Sequence, residues 1–554
     1  MSASDNVPIE IWRNIFQMLP RSDLRNVLQA NRQCHDIALP VLYRDIVWND
    51  PVDLANHLPF WDSHSDKTEV PRSLVVAVSP PRNWDADSGS CESSVVVGVD
   101  GPTNSNLAVD RTSLRSQNLD LSPHSTSRYF RYEEPELLAS PYLYHRMCSI
   151  IPSFRGLDTL TFRNTVLPET FFSIVHNLPS LRTLHIQGVI FTMYAAPGTQ
   201  NHRELPITEL TLWGLSNRQE RNETPLLLAT AANLRTLRVD STADVFTLYN
   251  RASHTGARGN LVPAVVVPNN LTNVYMRLPP LPYDNLRAPA KAFVASYLEF
   301  LRRHGSTLPL QRLSTSGAIR SDPLPDNYFP QLRSLRGHLD VVLPFLGNAS
   351  HRPLETLDIS EGIKTAGSLT DVLGQVDGAH RIKTLCLSLP SWDTEILHAV
   401  AQLFPGLRRL KITYDIGVAP SDLLFVGPIC LAYLPSLEII QLYRDYATNE
   451  YKTPPPAGLE HLPDHIVEAV IQHYPAHLRP PPPPSNPQPI LTPPPFVRRD
   501  ERARDLLAGW SRSSKSLKEA QFESNRVWRR AGPGHEWNVR NVRGVDGHSG
   551  EVYV

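Results

Sequence analysis

A short pattern of apolar and polar positions recurs through most of the chain after residue 150. Each copy has an apolar residue, two mostly polar residues, a second apolar residue, one mostly polar residue and a third apolar residue. The clearest copies are Leu157-Leu160-Phe162, Leu181-Leu184-Ile186, Ile207-Leu210-Leu212, Leu234-Leu237-Val239, Leu354-Leu357-Ile359, Ile382-Leu385-Leu387, Leu407-Leu410-Ile412 and Leu437-Ile440-Leu442. Weaker copies begin at Leu271, Leu310 and Leu332, and a last copy is Leu517-Ala520-Phe522. Apolar residues two positions apart predict a strand that buries one of its faces.

The spacing of the copies indicates a repeat architecture. Most neighbouring copies begin about 22 to 30 residues apart, which is typical of leucine-rich repeats with one strand and one returning helix per unit. Several units show the helix directly, for example Phe171, Ile174 and Leu178 ahead of Pro179. Accidental leucine spacing in an ordinary α/β protein is the alternative, and about a dozen copies disfavour it. We therefore predict an α/β fold in which a horseshoe-like leucine-rich-repeat solenoid occupies residues 128–450.

Residues 6–48 follow a helical period instead. Ile11, Ile15 and Met18 recur at steps of three and four residues, and Trp12 and Phe16 make the apolar stripe wider than one core-facing helix needs. Three short helices over about 43 residues bury too little surface for an independent core. The apolar surplus therefore requires a partner, which is either the rest of this chain or another protein.

The same segment resembles the F-box family. The resemblance is carried by Val7-Pro8-Ile9-Glu10-Ile11, Ile15-Phe16, Leu19, Asp23-Leu24 and Arg32, which follow the family's order and spacing. The sequence departs from the family pattern at three positions. Val7 stands where leucine is usual, Ala30 where valine is usual, and Cys34 where tryptophan or phenylalanine is usual. The ending Leu42-Tyr43-Arg44 resembles the fungal branch of the family.

The resemblance implies a function. F-box proteins with leucine-rich repeats are substrate-recognition subunits of SCF-type cullin-RING ubiquitin ligases, and the irregular repeats here, with a strand-ending asparagine clear only at Asn164, resemble theirs. By this resemblance, the F-box in residues 6–48 binds a Skp-family adaptor and through it a cullin, while the repeats bind a protein target for ubiquitin-dependent degradation. The implied adaptor-binding positions are Pro8, Ile9, Ile11, Ile15, Leu19 and Leu24. The alternative is an F-box scaffold that acts outside a ubiquitin ligase.

The remaining segments are assigned from composition and pattern. Arg72, Leu74, Val76 and Val78 predict a first solenoid strand in residues 69–79. Residues 80–127 are rich in Ser, Asp, Asn, Pro and Gly and cannot bury enough apolar surface to become ordered, so we predict a disordered insertion. Residues 451–500 include five consecutive prolines and predict an extended Pro-rich linker or insertion. Residues 501–554 are assigned to the last repeat and a C-terminal tail.

Composition and motifs change this picture only by exclusion. Lys+Arg of 54 against Asp+Glu of 55 leaves no charge excess for nucleic acid or an acidic membrane surface. The five cysteines form no CxxC pair, and no phosphate-loop, dinucleotide-binding, HExxH or GxSxG motif occurs. We therefore expect a non-catalytic protein with no metal, no cofactor and no nucleic-acid or membrane partner. Without a secretory or membrane-spanning pattern, we expect it in the cytoplasm and/or the nucleus.

The repeat pattern also predicts where a protein target would bind. Alternate residues of each strand point away from the leucines, onto the concave face of a solenoid. These positions are Arg163, His185, Trp213, Arg238, Asp240, Arg336, Asp358, Lys411, Tyr443, Glu519 and Glu523. Charges of both signs favour a protein or peptide ligand, and large aromatics are frequent among the residues that dominate interface energy. The predicted target-binding residues are Trp213, Arg238, Lys411 and Tyr443, and the alternative is that the insertions or the C-terminal tail cover them.

Overall fold

The computed structural model describes two compact units, Met1–Asn270 and Leu271–Val554. The described residues are 7–64, 67–79, 139–191, 202–217, 224–251, 254–255, 261–262, 265–278, 286–317, 319, 324–325, 327–346, 352–363, 365–376, 378–416, 423–444, 496–523 and 525–541. The predicted insertion at 80–127 and most of the predicted linker, 451–495, lie outside these ranges. Each unit is a mixed α/β structure of parallel strands and helices, which is consistent with a repeat solenoid.

The first unit begins with helices and continues as a parallel sheet. Its helices are α1 (Ile9–Gln17), α2 (Arg21–Leu28), α3 (Arg32–Leu42), α4 (Pro51–Ser63), α5 (Pro141–Ile150), α6 (Phe171–His176) and α7 (Val245–Asn250). Its strands are β1 (Asp45–Trp48), β2 (Ser73–Val76), β3 (Thr159–Arg163), β4 (Thr183–Gln187), β5 (Ile190–Phe191), β6 (Glu209–Trp213), β7 (Ser216–Asn217), β8 (Thr236–Asp240), β9 (His254–Thr255) and β10 (Leu261–Val262). Strands β1, β2, β3, β4, β6 and β8 pair in this order, all parallel. Two short pairs, β5 with β7 and β9 with β10, lie apart from that sheet.

The repeated leucines account for this sheet. Leu160 of β3, Leu184 of β4 and Leu210 of β6 occupy one register position, and all three are 0% exposed. The backbone repeats as well, because the carbonyl of Asp158 accepts hydrogen bonds from the N–H groups of Arg182 and Thr183 at 2.8 and 2.9 Å, and later strands show the same arrangement. Each repeat therefore buries its leucines against the neighbouring repeats, as expected for stacked units.

The sheet begins one strand earlier than the sequence predicted. Strand β1 lies within residues 6–48, which we assigned wholly to the F-box, and it pairs with β2, which we took as the first solenoid strand in residues 69–79. Ile46 and Trp48 of β1 face the core and are 6% and 0% exposed. This alternation spans only four residues, which is too short to stand out beside the helical pattern before it.

The second unit continues the strand and helix alternation. Its helices are α8 (Ala288–His304), α9 (Leu339–Leu346), α10 (Ala366–Gly374), α11 (Thr394–Leu403), α12 (Leu423–Ala432) and α13 (Phe496–Ser513). Its strands are β11 (Asn273–Arg277), β12 (Arg312–Ser316), β13 (Ser334–His338), β14 (Thr356–Glu361), β15 (Thr384–Ser391), β16 (Arg409–Ile416), β17 (Ile439–Arg444), β18 (Glu519–Glu523), β19 (Arg526–Arg529) and β20 (Asn538–Asn541). Strands β11 to β18 pair in sequence order, all parallel. The weaker copies of the pattern, at Leu271, Leu310 and Leu332, do lead into β11, β12 and β13.

The end of the second unit differs from the predicted last repeat and tail. Helix α13 begins inside the segment predicted as linker, and β18 is followed by two antiparallel strands, β19 and β20. Trp510 of α13 is 0% exposed, and its Nε1 donates a hydrogen bond to the carbonyl of Leu423 at 3.2 Å. Trp528 of β19 is 3% exposed. The buried tryptophans make these C-terminal elements part of the folded unit.

Several strands are followed directly by a left-handed residue. Asn164, Gly188 and Gly214 follow β3, β4 and β6 with φ of 50°, 62° and 61°. Gly317 and Gly362 follow β12 and β14 with φ of 85° and 86°. Glycine, and to a lesser extent asparagine, adopts this conformation readily because it avoids the steric penalty of other side chains. Glycine therefore takes the place of the strand-ending asparagine that most repeats lack.

Candidate protein-interaction surfaces

The N-terminal module, helices α1 to α3, has a small buried core. Phe16, Leu24, Ile37 and Ala38 form one cluster and are 0–3% exposed. Partly buried side chains pack around this cluster, namely Trp12, Leu19, Val27, Leu28, Cys34, Val41 and Leu42. Asn31 caps α3, because its side-chain oxygen accepts a hydrogen bond from the N–H of Cys34 at 2.8 Å. With Leu39 of α3, which is 8% exposed, the module is therefore a compact helical layer with few well-buried apolar side chains among its described residues.

Helix α1 carries a second apolar surface that the described part of the chain leaves exposed. Ile11, Ile15 and Met18, which we call the α1 stripe, are 49%, 41% and 82% exposed, and Ile9 in the first turn is 47% exposed. Helix geometry places the three stripe residues within about 60° of one another around the helix axis. They lie beside the core-facing side of the helix, to which Trp12 belongs. Contiguous exposed apolar side chains of this size commonly mark interaction sites.

The six predicted adaptor-binding residues occupy different environments. Four are exposed on the surface, namely Pro8, Ile9, Ile11 and Ile15. Leu19 is half-buried against the module core, and Leu24 is 3% exposed inside it. The exposed four are accessible to a partner and Leu19 is partly accessible, whereas Leu24 lies inside the core. Met18, the residue that follows α1, is 82% exposed. The sequence placed it in the same apolar stripe as Ile11 and Ile15, but it was not among the predicted adaptor-binding residues.

A group of aromatic rings fixes the module to the sheet of the first unit. The ring of Tyr43 stacks on Phe60 with centroids 4.7 Å apart and meets the edge of Trp61 at 5.4 Å. Phe154 lies 5.0 Å from Trp61 and 6.1 Å from Trp48, and both Phe154 and Trp48 are 0% exposed. Burial raises the pKa of Tyr43 above its usual value. The end of α3 is thus covered by other parts of the same chain, a contact that the sequence did not predict.

The predicted target-binding residues of the first unit are partly withdrawn from the surface. Arg238 is 5% exposed, and its guanidinium lies 3.2 Å from the carboxylate of Glu209. Trp213, at the end of β6, is half-buried. Arg238 thus has little surface to offer a target, and its role in target binding stays a prediction.

Other predicted face positions of the first unit also have partners within the protein. His185 Nδ1 lies 2.8 Å from the hydroxyl of Thr211, and burial, followed by the nearby Arg238 cation, lowers the pKa of His185. Asp240 is 4% exposed and accepts a hydrogen bond from the N–H of Gly214 at 2.7 Å. Arg163, at the end of β3, is exposed. Most of these positions thus support the fold of the first unit.

The second unit places two predicted target-binding residues together. Lys411 of β16 and Tyr443 of β17 are both half-buried, and the Lys411 Nζ lies 5.7 Å from the centroid of the Tyr443 ring. The register pairs Lys411 with Gln441 and Thr413 with Tyr443, so the two side chains meet diagonally across neighbouring strands. A cation over an aromatic face is a favourable contact that leaves the ammonium N–H groups available to a ligand.

The same face of the second unit carries a row of polar side chains in register. From β13 to β18 this row consists of Arg336, Asp358, Cys386, Lys411, Gln441 and Gln521. Arg336 Nε lies 3.3 Å from the carboxylate of Asp358, and the amide of Gln441 donates to that of Gln521 at 2.7 Å. We call this surface, on the side opposite the leucines, the polar face of the second unit.

Charge and burial compete at the centre of this row. Burial raises the pKa of Asp358, while Arg336 and Lys411 oppose the rise. Burial also raises the pKa of the Cys386 thiol to about 11, with Asp358 adding to the rise and Lys411, Arg409 and Arg336 opposing it. The thiol is therefore neutral near pH 7 and a poor nucleophile.

The two predicted acidic positions near the end of this face are engaged by arginines. Glu519 of β18 lies 2.7 Å from Arg529, and Glu523 lies 3.7 Å from Arg526. Both arginines belong to β19, the antiparallel strand that the sequence did not predict. These carboxylates are therefore neutralised by their own unit.

The described ranges contain no group of three or more His, Cys, Asp or Glu side chains that could hold a metal ion. Within the same ranges, none of the helices is both long enough and apolar enough to cross a membrane.

Comparisons with known proteins add little to this picture. No protein-family model matches the sequence, and no curated protein matches it. A solved structure, the plant peptide hormone receptor RGFR1 in complex with RGF2, is similar to this chain at 10% sequence identity with a TM-score of 0.17. The similarity covers 53% of this chain and 56% of that receptor chain, so the chain spans about half the length of the structure it matches. A TM-score of 0.17 is too low to carry a conclusion about function.

Proposed function

We propose that this protein is a non-catalytic receptor that joins a Skp-family adaptor to a protein target within an SCF-type cullin-RING ubiquitin ligase. The N-terminal module acts as the F-box and binds the adaptor through α1. The strand and helix repeats hold the target. The reaction is promoted by proximity, because a bound target has a high effective concentration near the ubiquitin-carrying enzyme.

The α1 stripe is the observation that carries this proposal. Ile11, Ile15 and Met18 offer apolar side chains to solvent on a helix whose other arc, with Phe16, already packs into the module core. Exposure of 41–82% at three neighbouring apolar positions is costly in water and is relieved by a partner. The F-box-like residues Pro8, Ile9, Ile11 and Ile15 coincide with this exposed surface, and this coincidence favours an adaptor as the partner.

A second candidate function uses the same surface differently. In it, the module binds an adaptor without a cullin, and the protein is a scaffold outside any ubiquitin ligase. Both functions need the α1 stripe, and they differ only in whether a cullin accompanies the adaptor.

Native pull-down of the full chain, followed by mass spectrometry, tests the proposal. The variant Ile11→Asp, Ile15→Asp places two carboxylates in the contact, and desolvating unpaired charges there costs several kcal/mol, so adaptor recovery should fall by at least about tenfold. The matched control is Ile429→Asp, which adds a charge at another exposed isoleucine (56% exposed) on α12. Because all three isoleucines are at least 41% exposed, the variants should keep the circular dichroism spectrum of the native chain.

Three outcomes separate the possibilities. Adaptor and cullin together in the native and Ile429→Asp samples, and neither in the double variant, support the ligase receptor. Adaptor without cullin in the first two samples supports the scaffold. Undiminished adaptor recovery by the folded double variant would contradict adaptor binding through α1.

A further inference from the structure

Two cations on β16 have hydrogen-bonding capacity that the described part of the second unit does not use. The Nε of Arg409 is buried without a hydrogen-bond partner, and its Nη2 makes only a long bond, 3.4 Å, to the side-chain oxygen of Gln441. Lys411 lies over the ring of Tyr443 and forms no ion pair with any described residue. The nearest carboxylate in its row, Asp358, is already paired with Arg336. Positive charge therefore exceeds negative charge at this part of the polar face.

The surroundings of these cations form a strip that a peptide backbone can approach. Strand β15 carries the short side chains Thr384, Cys386 and Ser388, which are in register with Arg409, Lys411 and Thr413 of β16. The hydroxyl groups of Ser388 and Thr413 are 2.9 Å apart. Arg409 and Lys411 on β16 border the strip at one side, and Asp358 on β14 lies at the other side, with Arg336 of β13 beyond it. The strip thus lies between the two cations of β16 and the Arg336–Asp358 ion pair.

The spacing of the two cations matches an extended peptide. Arg409 and Lys411 are two residues apart on one face of a strand, which separates their Cα atoms by roughly 6.6 Å. In an extended peptide, residues i and i+2 also point to the same side at roughly 6.6 Å. Two carboxylates in a Glu-x-Glu arrangement can therefore meet Arg409 and Lys411 at once, whereas adjacent glutamates point to opposite sides.

We propose that the strip of Thr384, Cys386 and Ser388, with Arg409 and Lys411, binds an extended acidic segment of a target protein through two carboxylates in i and i+2 positions. This inference rests on the proposed function, since it names the kind of target segment that the repeats hold. Carboxylates are favoured over phosphates, because each cation is matched by one negative charge and the neighbouring Asp358 repels a dianion.

Fluorescence anisotropy with the purified full chain tests the proposal without any adaptor. The probes are four fluorescein-labelled ten-residue serine-rich peptides with the central sequences Glu-Ser-Glu, Glu-Glu-Ser, Gln-Ser-Gln and phosphoserine-Ser-phosphoserine. We expect the Glu-Ser-Glu peptide to bind at least about tenfold more tightly than the Gln-Ser-Gln peptide, because charge-assisted hydrogen bonds are lost in the latter. The Glu-Ser-Glu peptide should also bind more tightly than the Glu-Glu-Ser peptide, which has the same net charge. Added salt should weaken the binding of the Glu-Ser-Glu peptide.

The variants Arg409→Gln and Lys411→Gln should each weaken Glu-Ser-Glu binding by about tenfold. Arg312→Gln is the matched control, because Arg312 is an exposed arginine on the same face of the same unit, on β12. It should leave binding unchanged. Equal binding of the two glutamate peptides, preference for the phosphorylated peptide, or unchanged binding by Lys411→Gln would each overturn the proposal.

The two proposals fail separately. Adaptor recovery in the pull-down depends on α1, so the Ile11→Asp, Ile15→Asp variant should lose the adaptor and still bind the Glu-Ser-Glu peptide in the anisotropy measurement. Conversely, Lys411→Gln should retain full adaptor recovery. A chain that binds Glu-Ser-Glu but recovers no adaptor would refute the proposed function and keep the peptide site.

Discussion

Replacement of Arg352 by leucine is expected to lower the free energy of unfolding of the second unit by about 3–5 kcal/mol. Arg352 is 2% exposed, and its guanidinium donates three hydrogen bonds to backbone carbonyls. Nη1 reaches Phe345 at 2.7 Å, Nε reaches Tyr328 at 3.0 Å, and Nη2 reaches Pro325 at 3.1 Å. One side chain thus holds the loop ahead of β13 against the end of α9.

The magnitude follows from what leucine leaves behind. Each buried carbonyl that loses its partner costs about 1–3 kcal/mol, and three of them lose the guanidinium. Leucine recovers part of this by apolar contact. The same loop holds Phe329 at a φ of 55°, a conformation that costs about 1–3 kcal/mol for a non-glycine residue. When the loop loosens, Phe329 can leave this unfavourable conformation, and this offsets part of the lost stability. The expected loss in the free energy of unfolding therefore lies in the lower half of the summed cost of the three carbonyls.

Hydrogen exchange with mass spectrometry measures this effect in the intact chain. Exchange should accelerate at the N–H of Phe329, which now bonds to the carbonyl of Gly305 at 2.7 Å, and across residues 327–346, while residues 7–64 of the first unit keep their native rate. Arg312→Leu is the control, because a surface substitution should change stability by less than about 0.5 kcal/mol. A loss below about 1 kcal/mol for Arg352→Leu would show that the carbonyls find other partners and would refute the reasoning.

Further predictions concern the first unit. Leu24→Ala should destabilise the N-terminal module by about 2–5 kcal/mol, because Leu24 is buried, whereas Ile15→Ala should cost under about 1 kcal/mol. Hydrogen exchange in α1 to α3 measures both losses. Equal losses of stability would contradict the argument from the difference in burial. Burial lowers the pKa of His176, His185 and His202 below the usual 6.5, so the folded unit takes up these protons at lower pH than the unfolded chain does. The contribution of the three neutral histidines to folding stability is complete above pH 6.5 and is lost as the pH falls through their lowered pKa values. The first unit should therefore unfold at a lower urea concentration at pH 5.0 than at pH 7.5. His185→Gln should narrow this difference, and a pH-independent midpoint would rule the effect out.

The repeat fold was predictable because leucine periodicity is a direct consequence of burial. Leu160, Leu184 and Leu210 are all 0% exposed and in register, so the apolar pattern in the sequence and the strand pairing have one cause. Strand β1 was not predictable for the opposite reason. Its two buried residues, Ile46 and Trp48, make one step of alternation, which is equally compatible with the end of a helix.

The sequence predicted which residues lie on the outward face of the strands, and it did not predict which of them are accessible to a ligand. Arg238 and Lys411 occupy equivalent outward positions of their strands, and the sequence treats them alike. Arg238 is 5% exposed and pairs with Glu209, at the start of the neighbouring strand β6. Lys411 forms no ion pair with a described carboxylate and lies over the ring of Tyr443 instead. Which outward residue remains available thus depends on side chains that are remote in sequence and adjacent only across the sheet.

The apolar surplus of the N-terminal segment illustrates the same dependence on distant residues. The sequence required a partner for this surplus and left open whether the rest of the chain or another protein supplies it. The structure shows the first alternative at one side of the module. Tyr43, at the end of α3, stacks on Phe60 and Trp61 of the same chain, so that side of the module is covered internally. The α1 stripe remains 41–82% exposed in the described part of the chain, and this is the part of the surplus that the proposed adaptor would cover.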